Sequence, residues 1–171
     1  MKKEAWLLRH LIGVISLAVV LPVSVESAWA DTLEGVLEGE SLSWHVLHAD
    51  DASTASFFSI APGMTSYQIQ GHREERFSVA GSISLSFTVM NGKLLAEPEV
   101  SFFPEKKLFP MYSNEGQGKL TIEHLENGGV PRAKGRYQGT LVRLEGVGKD
   151  ADRSDTLTLD LLFDVHLRAD D

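Results

Sequence analysis

The sequence contains no cysteine. This absence excludes disulfide bonds, thiolate catalysis and thiolate metal sites, so the fold must be held by packing and hydrogen bonds. It also excludes a lipid anchor on a cysteine at the point where an export signal is removed. No Gly-x-Ser-x-Gly elbow and no glycine-rich phosphate loop is present, so the sequence predicts no catalytic residue.

Basic residues are scarce compared with acidic ones. The chain has 16 Lys and Arg against 24 Asp and Glu, which gives a formal net charge of −8. An acidic surface repels a phosphate backbone, so nucleic acid is excluded as a partner class. The charge favours solubility and suggests a basic or cationic partner.

The first thirty residues have the composition of an export signal. Lys2, Lys3 and Arg9 precede an apolar run over residues 11–25, and Ala28-Trp29-Ala30 follows it. This order predicts a secretory signal peptide at residues 1–30, and the run is too short for a membrane span. We therefore expect one domain at residues 31–171, periplasmic or secreted, that does not span a membrane after the leader is cleaved.

Helical spacing is absent after residue 30, and alternation of apolar and polar residues replaces it. In residues 77–90 the apolar side chains share one parity and the hydroxyl side chains share the other, which predicts a strand with one buried face. Residues 156–167 repeat this pattern. Ile83 and Leu159 are expected in the core.

Shorter alternating segments complete a set of about nine strands. Asn91-Gly92 predicts a hairpin, Pro62-Gly63 predicts a type II turn, and a slip of parity at Val142 predicts a bulge. Residues 103–116 are expected to form a long loop. The pattern is typical of an all-β domain, a single antiparallel β-sandwich or closed β-barrel of eight to nine strands.

The end of the chain carries a recurring strand pattern. Gly135-Arg-Tyr-Gln-Gly-Thr-Leu141, followed by Phe163-Asp-Val165, resembles a signature of small exported bacterial all-β proteins of unknown function. The resemblance covers about the last thirty residues. It implies an all-β fold and supplies no catalytic residue.

The candidate binding residues are apolar and lie in two places. Five belong to the loop over residues 103–112, and Trp44 stands apart; the loop residues are Phe103, Leu108, Phe109, Met111 and Tyr112. In water they would expose a large apolar area, so the loop either plugs the core or contacts a partner. Trp44 is interpreted first as a core anchor and second as a ligand platform.

These residues lead to three functional hypotheses. The first is an exported, non-enzymatic binding module that contacts an unidentified protein through the loop. The alternative is a β-barrel carrier of a small apolar ligand, with the loop as lid and Trp44 in the cavity. The third is a hydrolase whose carboxylate or histidine site is assembled only by the fold.

Metal binding is a further hypothesis. Asp150, Asp152 and Asp155 could form a loose calcium site, although the residues that a helix–loop–helix calcium loop requires afterwards are missing. His45 and His48 are three apart in a predicted strand and point to opposite faces, whereas His45, His124 or His166 could converge across strands. Outside metal binding, Glu97 and Glu99 project to one side of a strand, as an acid–base carboxylate pair for glycoside chemistry would, whereas Pro98 between them indicates an exposed edge.

Overall fold

The computed structural model describes residues 30–170, and it is all-β in that range. Its strands are β1 (Thr32–Leu37), β2 (Glu40–Ser43), β3 (Ala55–Ala61), β4 (Met64–Gly71), β5 (Ser82–Met90), β6 (Lys93–Leu94), β7 (Glu99–Phe103), β8 (Met111–Ser113), β9 (Lys119–Glu126), β10 (Arg132–Leu144), β11 (Asp152–His166) and β12 (Arg168–Ala169). The predicted signal peptide, apart from Ala30, lies outside the described residues. No helix in residues 30–170 has the length and apolarity of a membrane span.

The strands form one curled sheet. Its order is β12-β3-β4-β5-β7-β8-β10-β11-β1-β2, with β6 on β5 and β9 on β10, and every pairing is antiparallel except β12 with β3. Within the described range no ladder joins β2 to β3 or β12, because β2 has four residues and the chain turns inward at Trp44. The all-β prediction is confirmed, but the architecture is an open half-barrel and neither a closed barrel nor a clear sandwich.

The core lies inside the curl, where the predicted inward parity places it. Ile83 and Leu159 are 1% and 3% exposed, as the alternation requires. Aromatic rings extend across three strands: Tyr67 stacks on Phe87 at 5.0 Å between centroids, and Phe87 lies 6.4 Å from Phe163. These contacts tie β4 and β5 to β11 through side chains, although the strands are far apart in the sheet order.

The long predicted ribbon over residues 77–90 is shorter in the structure. β5 begins at Ser82, because the amide N–H of Ser82 donates to the Val79 carbonyl and closes a turn. Phe77 is 68% exposed, and its ring lies 4.9 Å from that of His72. The prediction of a strand over residues 77–81 was therefore wrong.

Other local predictions have clear outcomes. Asn91 and Gly92 adopt positive φ angles of 51° and 79°, and Met90 pairs with Lys93 across the predicted hairpin. The register of β10 and β11 shifts between Val142 and Arg143, which confirms the bulge. The predicted loop over residues 103–116 contains β8, a three-residue strand that sequence reasoning missed.

Candidate partner-binding face

The outer surface of four adjacent strands carries hydroxyl groups in register. Opposite residues of an antiparallel pair project to the same face, so the pairings define this surface directly. Its members, called here the hydroxyl face, are Ser66 of β4, Ser84, Ser86 and Thr88 of β5, Ser101 of β7 and Ser113 of β8. Ser84 pairs with Ser101, and Ser101 pairs with Ser113, so one row of hydroxyls crosses three strands.

One end of the hydroxyl face is apolar. Phe103 and Met111 each lie two residues beyond Ser101 and Ser113 on neighbouring strands, so they share the outer face. Met111 pairs with Leu144 of β10, which extends the apolar row. Leu108, in the connection between β7 and β8, is 64% exposed.

The other end is acidic. Glu97, Glu99 and Glu115 line an open groove of about 520 Å³, together with Ser101, Ser113 and Met111. A smaller groove of about 230 Å³ continues past Glu97 and Glu99 toward Ser66, Ser86 and Thr88. The two grooves share the two carboxylates, so the acidic end lies between them.

Asn114 fixes the geometry of the acidic end. It is 3% exposed, its side-chain nitrogen donates to the Pro98 carbonyl at 2.8 Å, and its side-chain oxygen accepts the Val100 amide N–H at 2.9 Å. Pro98 is fully buried between two exposed glutamates. The buried amide therefore holds the backbone from which Glu97 and Glu99 project.

The outer face of β9, β10 and β11 differs, because oppositely charged side chains on neighbouring strands form three ion pairs there. Arg132 contacts Asp164 at 2.6 Å, Lys134 contacts Glu123 at 3.5 Å, and Arg136 contacts Asp160. The hydrogen bond from Arg136 lowers the pKa of Asp160. In contrast, Glu97 and Glu99 have no ion pair with any residue in the range 30–170.

A third groove, called here the histidine groove, lies where β1 begins. Its volume is about 470 Å³, and it is lined by Ala30, Asp31, Trp44, His45, Val46, His48 and His166. The indole of Trp44 is 4% exposed, and its N–H donates to the Gly81 carbonyl at 2.8 Å. Trp44 is therefore mainly a core residue that contributes a wall to the groove.

A chain of hydrogen bonds connects polar residues in and beside the histidine groove. The hydroxyl oxygen of Ser53 lies 2.9 Å from Nδ1 of His48, and Nε2 of His48 contacts the Asp31 carboxylate. The other oxygen of Asp31 lies 2.8 Å from Nδ1 of His166 and accepts the His166 amide N–H at 2.7 Å. Ser53, His48 and Asp31 thus have the connectivity of a nucleophile, base and orienting acid.

The predicted loop residues divide between the two faces of the sheet. Phe103, Leu108, Phe109 and Met111 are exposed or half-buried, whereas Tyr112 is buried on the inner side of β8. The Tyr112 hydroxyl donates to Asp155 at 2.9 Å, and burial raises the pKa of this tyrosine. Gly81 links the two predicted parts of the site, because its N–H donates to the Phe103 carbonyl and its carbonyl accepts from Trp44.

The predicted calcium ligands make separate hydrogen bonds. The Asp152 carboxylate accepts hydrogen bonds from the hydroxyl and the amide N–H of Ser154. The Asp155 carboxylate accepts hydrogen bonds from the Tyr112 hydroxyl and the Arg143 guanidinium. No group of three His, Cys, Asp or Glu side chains in the described part of the chain could hold a metal. His124 lies apart from the histidine groove and contacts Glu126 at 3.6 Å.

Sequence reasoning identified some parts of these sites and missed others. It noted the hydroxyl parity of β5 and the side shared by Glu97 and Glu99, but it did not connect them with Ser101 and Ser113. Asp31 carried no sequence signal, because its partners are 17 and 135 residues away. The comparisons found no protein family, curated protein or solved structure that matches this chain.

Proposed function

We propose that this chain is an exported, non-enzymatic binding module, and that the hydroxyl face with its two ends is the surface that binds a partner protein. The observation that carries the proposal is the groove of about 520 Å³ in which apolar, hydroxyl and carboxylate side chains meet. Such a combination gives contact area, hydrogen bonds and orientation to one ligand. Met111 of the predicted contact loop lines this groove. Phe103 and Leu108 of the same loop lie at the apolar end of the hydroxyl face.

Rigid support for the groove favours a binding role. Strands β5, β7 and β8 are joined by continuous pairing, and Asn114 anchors the connection next to the glutamates. A surface held in one conformation loses little conformational entropy when a ligand binds.

The carrier hypothesis receives less support. An apolar-ligand cavity beside Trp44 would need apolar walls, whereas the groove at that position contains three histidines and an aspartate. The loop over residues 103–112 would also have to cover this groove as a lid, but Phe103 and Met111 face outward beside Ser101 and Ser113.

The hydrolase hypothesis is favoured by one observation, the relay of Ser53, His48 and Asp31. It provides the geometry in which a serine hydroxyl could transfer its proton to an imidazole. We keep it as the second candidate function.

The binding proposal can be tested with a blocked groove. Ser101→Trp places a bulky side chain in the middle of the hydroxyl face, and Thr121→Trp places the same side chain on the exposed surface of β9 as a matched control. Dodecapeptides are selected from a random phage-displayed library on the native protein, then measured by fluorescence polarisation. We expect about tenfold weaker binding to Ser101→Trp, equivalent to about 1.4 kcal/mol, and unchanged binding to Thr121→Trp.

Two results would overturn the proposal. The first is equal affinity for Ser101→Trp and the native chain, which would put the peptides on another surface such as the histidine groove. The second is recovery of no peptide above background. Circular dichroism of both variants shows whether the fold is retained.

A further inference from the structure

We infer that the ligand of the hydroxyl face is an extended, basic peptide segment of a partner protein, with a Lys or Arg at the acidic end and an apolar side chain at the Phe103–Met111 end. This inference rests on the proposed function and adds the chemistry and direction of the ligand. Three features of the face support it: unpaired carboxylates, a fixed separation between the ends and hydroxyls between them.

The carboxylates provide charge complementarity. Glu97 and Glu99 are exposed and project to the same side, because the buried Pro98 between them is fixed by Asn114. Glu115 of the same groove is paired with Arg153 at 2.7 Å, so Glu97 and Glu99 are the glutamates of this groove that have no cation within the described residues. Across the sheet, Asp160 and Asp164 already have arginine partners. A cationic side chain would therefore find its partner at Glu97 and Glu99.

The spacing of the two ends fits an extended chain. Glu99 and Phe103 are the first and last residues of β7, which places their Cα atoms about 13 Å apart at 3.3 Å per residue. A peptide in extended conformation covers this distance with about five residues. Its basic and apolar side chains would then occur at positions of the same parity, facing the sheet.

The hydroxyls between the ends suit a peptide backbone. A serine hydroxyl both donates and accepts a hydrogen bond, so Ser84, Ser101 and Ser113 could satisfy N–H and C=O groups in either register. The outer face of β5, β7 and β8 carries no Lys or Arg among its paired positions. A basic ligand therefore meets no like charge on these strands.

The test uses a fluorescein-labelled heptapeptide with lysine at position 2, leucine at position 6 and serine elsewhere, so that both side chains face the sheet in an extended peptide. A second peptide carries glutamine in place of the lysine. Glu97→Gln/Glu99→Gln removes the proposed partners of the cation. Glu34→Gln/Glu40→Gln, on β1 and β2, removes the same net charge at the other end of the sheet. At low ionic strength we expect the lysine peptide to bind the first variant about fivefold more weakly than the native chain, and the matched variant within about twofold.

The outcomes separate this inference from the proposed function. If both double variants weaken binding equally, the attraction is general and the basic-ligand inference is overturned. If the glutamine peptide binds as tightly as the lysine peptide but Ser101→Trp weakens both, the groove is the binding site and the inference about charge fails. If Ser101→Trp leaves binding of the lysine peptide unchanged, both the inference and the proposed function fail.

Discussion

At the scale of single residues, Ser53 distinguishes a binding module from a hydrolase. Its hydroxyl oxygen contacts His48 and also accepts the Ala55 amide N–H at 3.1 Å, which holds it in the turn before β3. Ser53 is not among the residues that line the histidine groove. We therefore predict that a fluorophosphonate probe does not label the native protein, and that Ser53→Ala lowers the free energy of unfolding by about 1 kcal/mol.

Mass spectrometry of the probe-treated protein checks the first part, and urea denaturation checks the second. A commercial serine esterase treated in parallel controls for the probe. Stoichiometric labelling that disappears in both Ser53→Ala and His48→Ala would contradict a non-enzymatic role and favour the hydrolase.

Trp44 and Asp31 show what could be predicted about single residues from sequence. The inward parity of Trp44 predicted a core anchor, and the structure buries it. Asp31 joins His48 and His166 only because β1 lies beside β11 and the chain after β2 crosses the start of β1. Alternation specifies which face a residue occupies, but it gives no information about which distant strand becomes its neighbour.

At the scale of the element, β10 gives a physical reason for the Gly-x-Tyr-x-Gly pattern. Tyr137 is fully buried, and its hydroxyl donates to the Gln117 carbonyl at 2.9 Å. A Cβ atom at Gly139 would overlap this hydroxyl, and one at Gly135 would meet the Phe163 ring at 2.6 Å. Packing of β10 against its neighbours therefore accounts for the two glycines and the tyrosine at these positions.

This packing predicts a measurable coupling. Gly139→Ala should lower the free energy of unfolding by about 1–3 kcal/mol, because the added methyl group displaces Tyr137 or the strand. The loss should be smaller in a Tyr137→Phe background, where the overlapping oxygen is absent. Urea denaturation of the four proteins of this double-mutant cycle measures the difference.

Thr140→Ala, at the next and exposed position, is the matched control, with an expected change within about 0.5 kcal/mol. If Gly139→Ala costs the same with and without the tyrosine hydroxyl, the steric explanation is wrong.

The success of strand prediction depended on element length. β5 and β11 have nine and fifteen residues, and their alternation was readable. β8 and β12 have three and two residues, which is too few to show a period of two. β8 nevertheless contributes Met111 and Ser113 to the candidate face, so the site could not be assembled from sequence although its loop was identified.

At the scale of the whole molecule, the open curl explains why the architecture was predicted incompletely. Alternation predicts one buried face for each strand, and a sandwich, a closed barrel and a curled sheet all satisfy it. The choice depends on pairing between the ends of the sheet. Here β12 covers only Ser56 and Phe57 on one side of β3, while β2 ends before it can form a ladder with β3.

The open side of β3 leads to the last prediction. This strand has no charged residue, and its outward side chains Phe58 and Ile60 are 45% and 51% exposed. Unpaired strand edges without charge recruit other strands. Deletion of residues 168–171 removes β12 and the hydrogen bond from the Asp170 amide to the Phe57 carbonyl. We expect the shortened chain to self-associate, with a larger mass by size-exclusion chromatography and light scattering than the full chain at equal concentration.

Adding Phe58→Lys to the shortened chain supplies the rescue control. A lysine on the edge disfavours pairing with a second copy, so the mass should return to that of the full chain. This reversal distinguishes edge pairing from aggregation of an unfolded chain, because a lysine on β3 would not prevent aggregation of unfolded protein. A shortened chain with the same mass as the full chain would mean that the exposed part of β3 is protected without β12, and the prediction would be wrong.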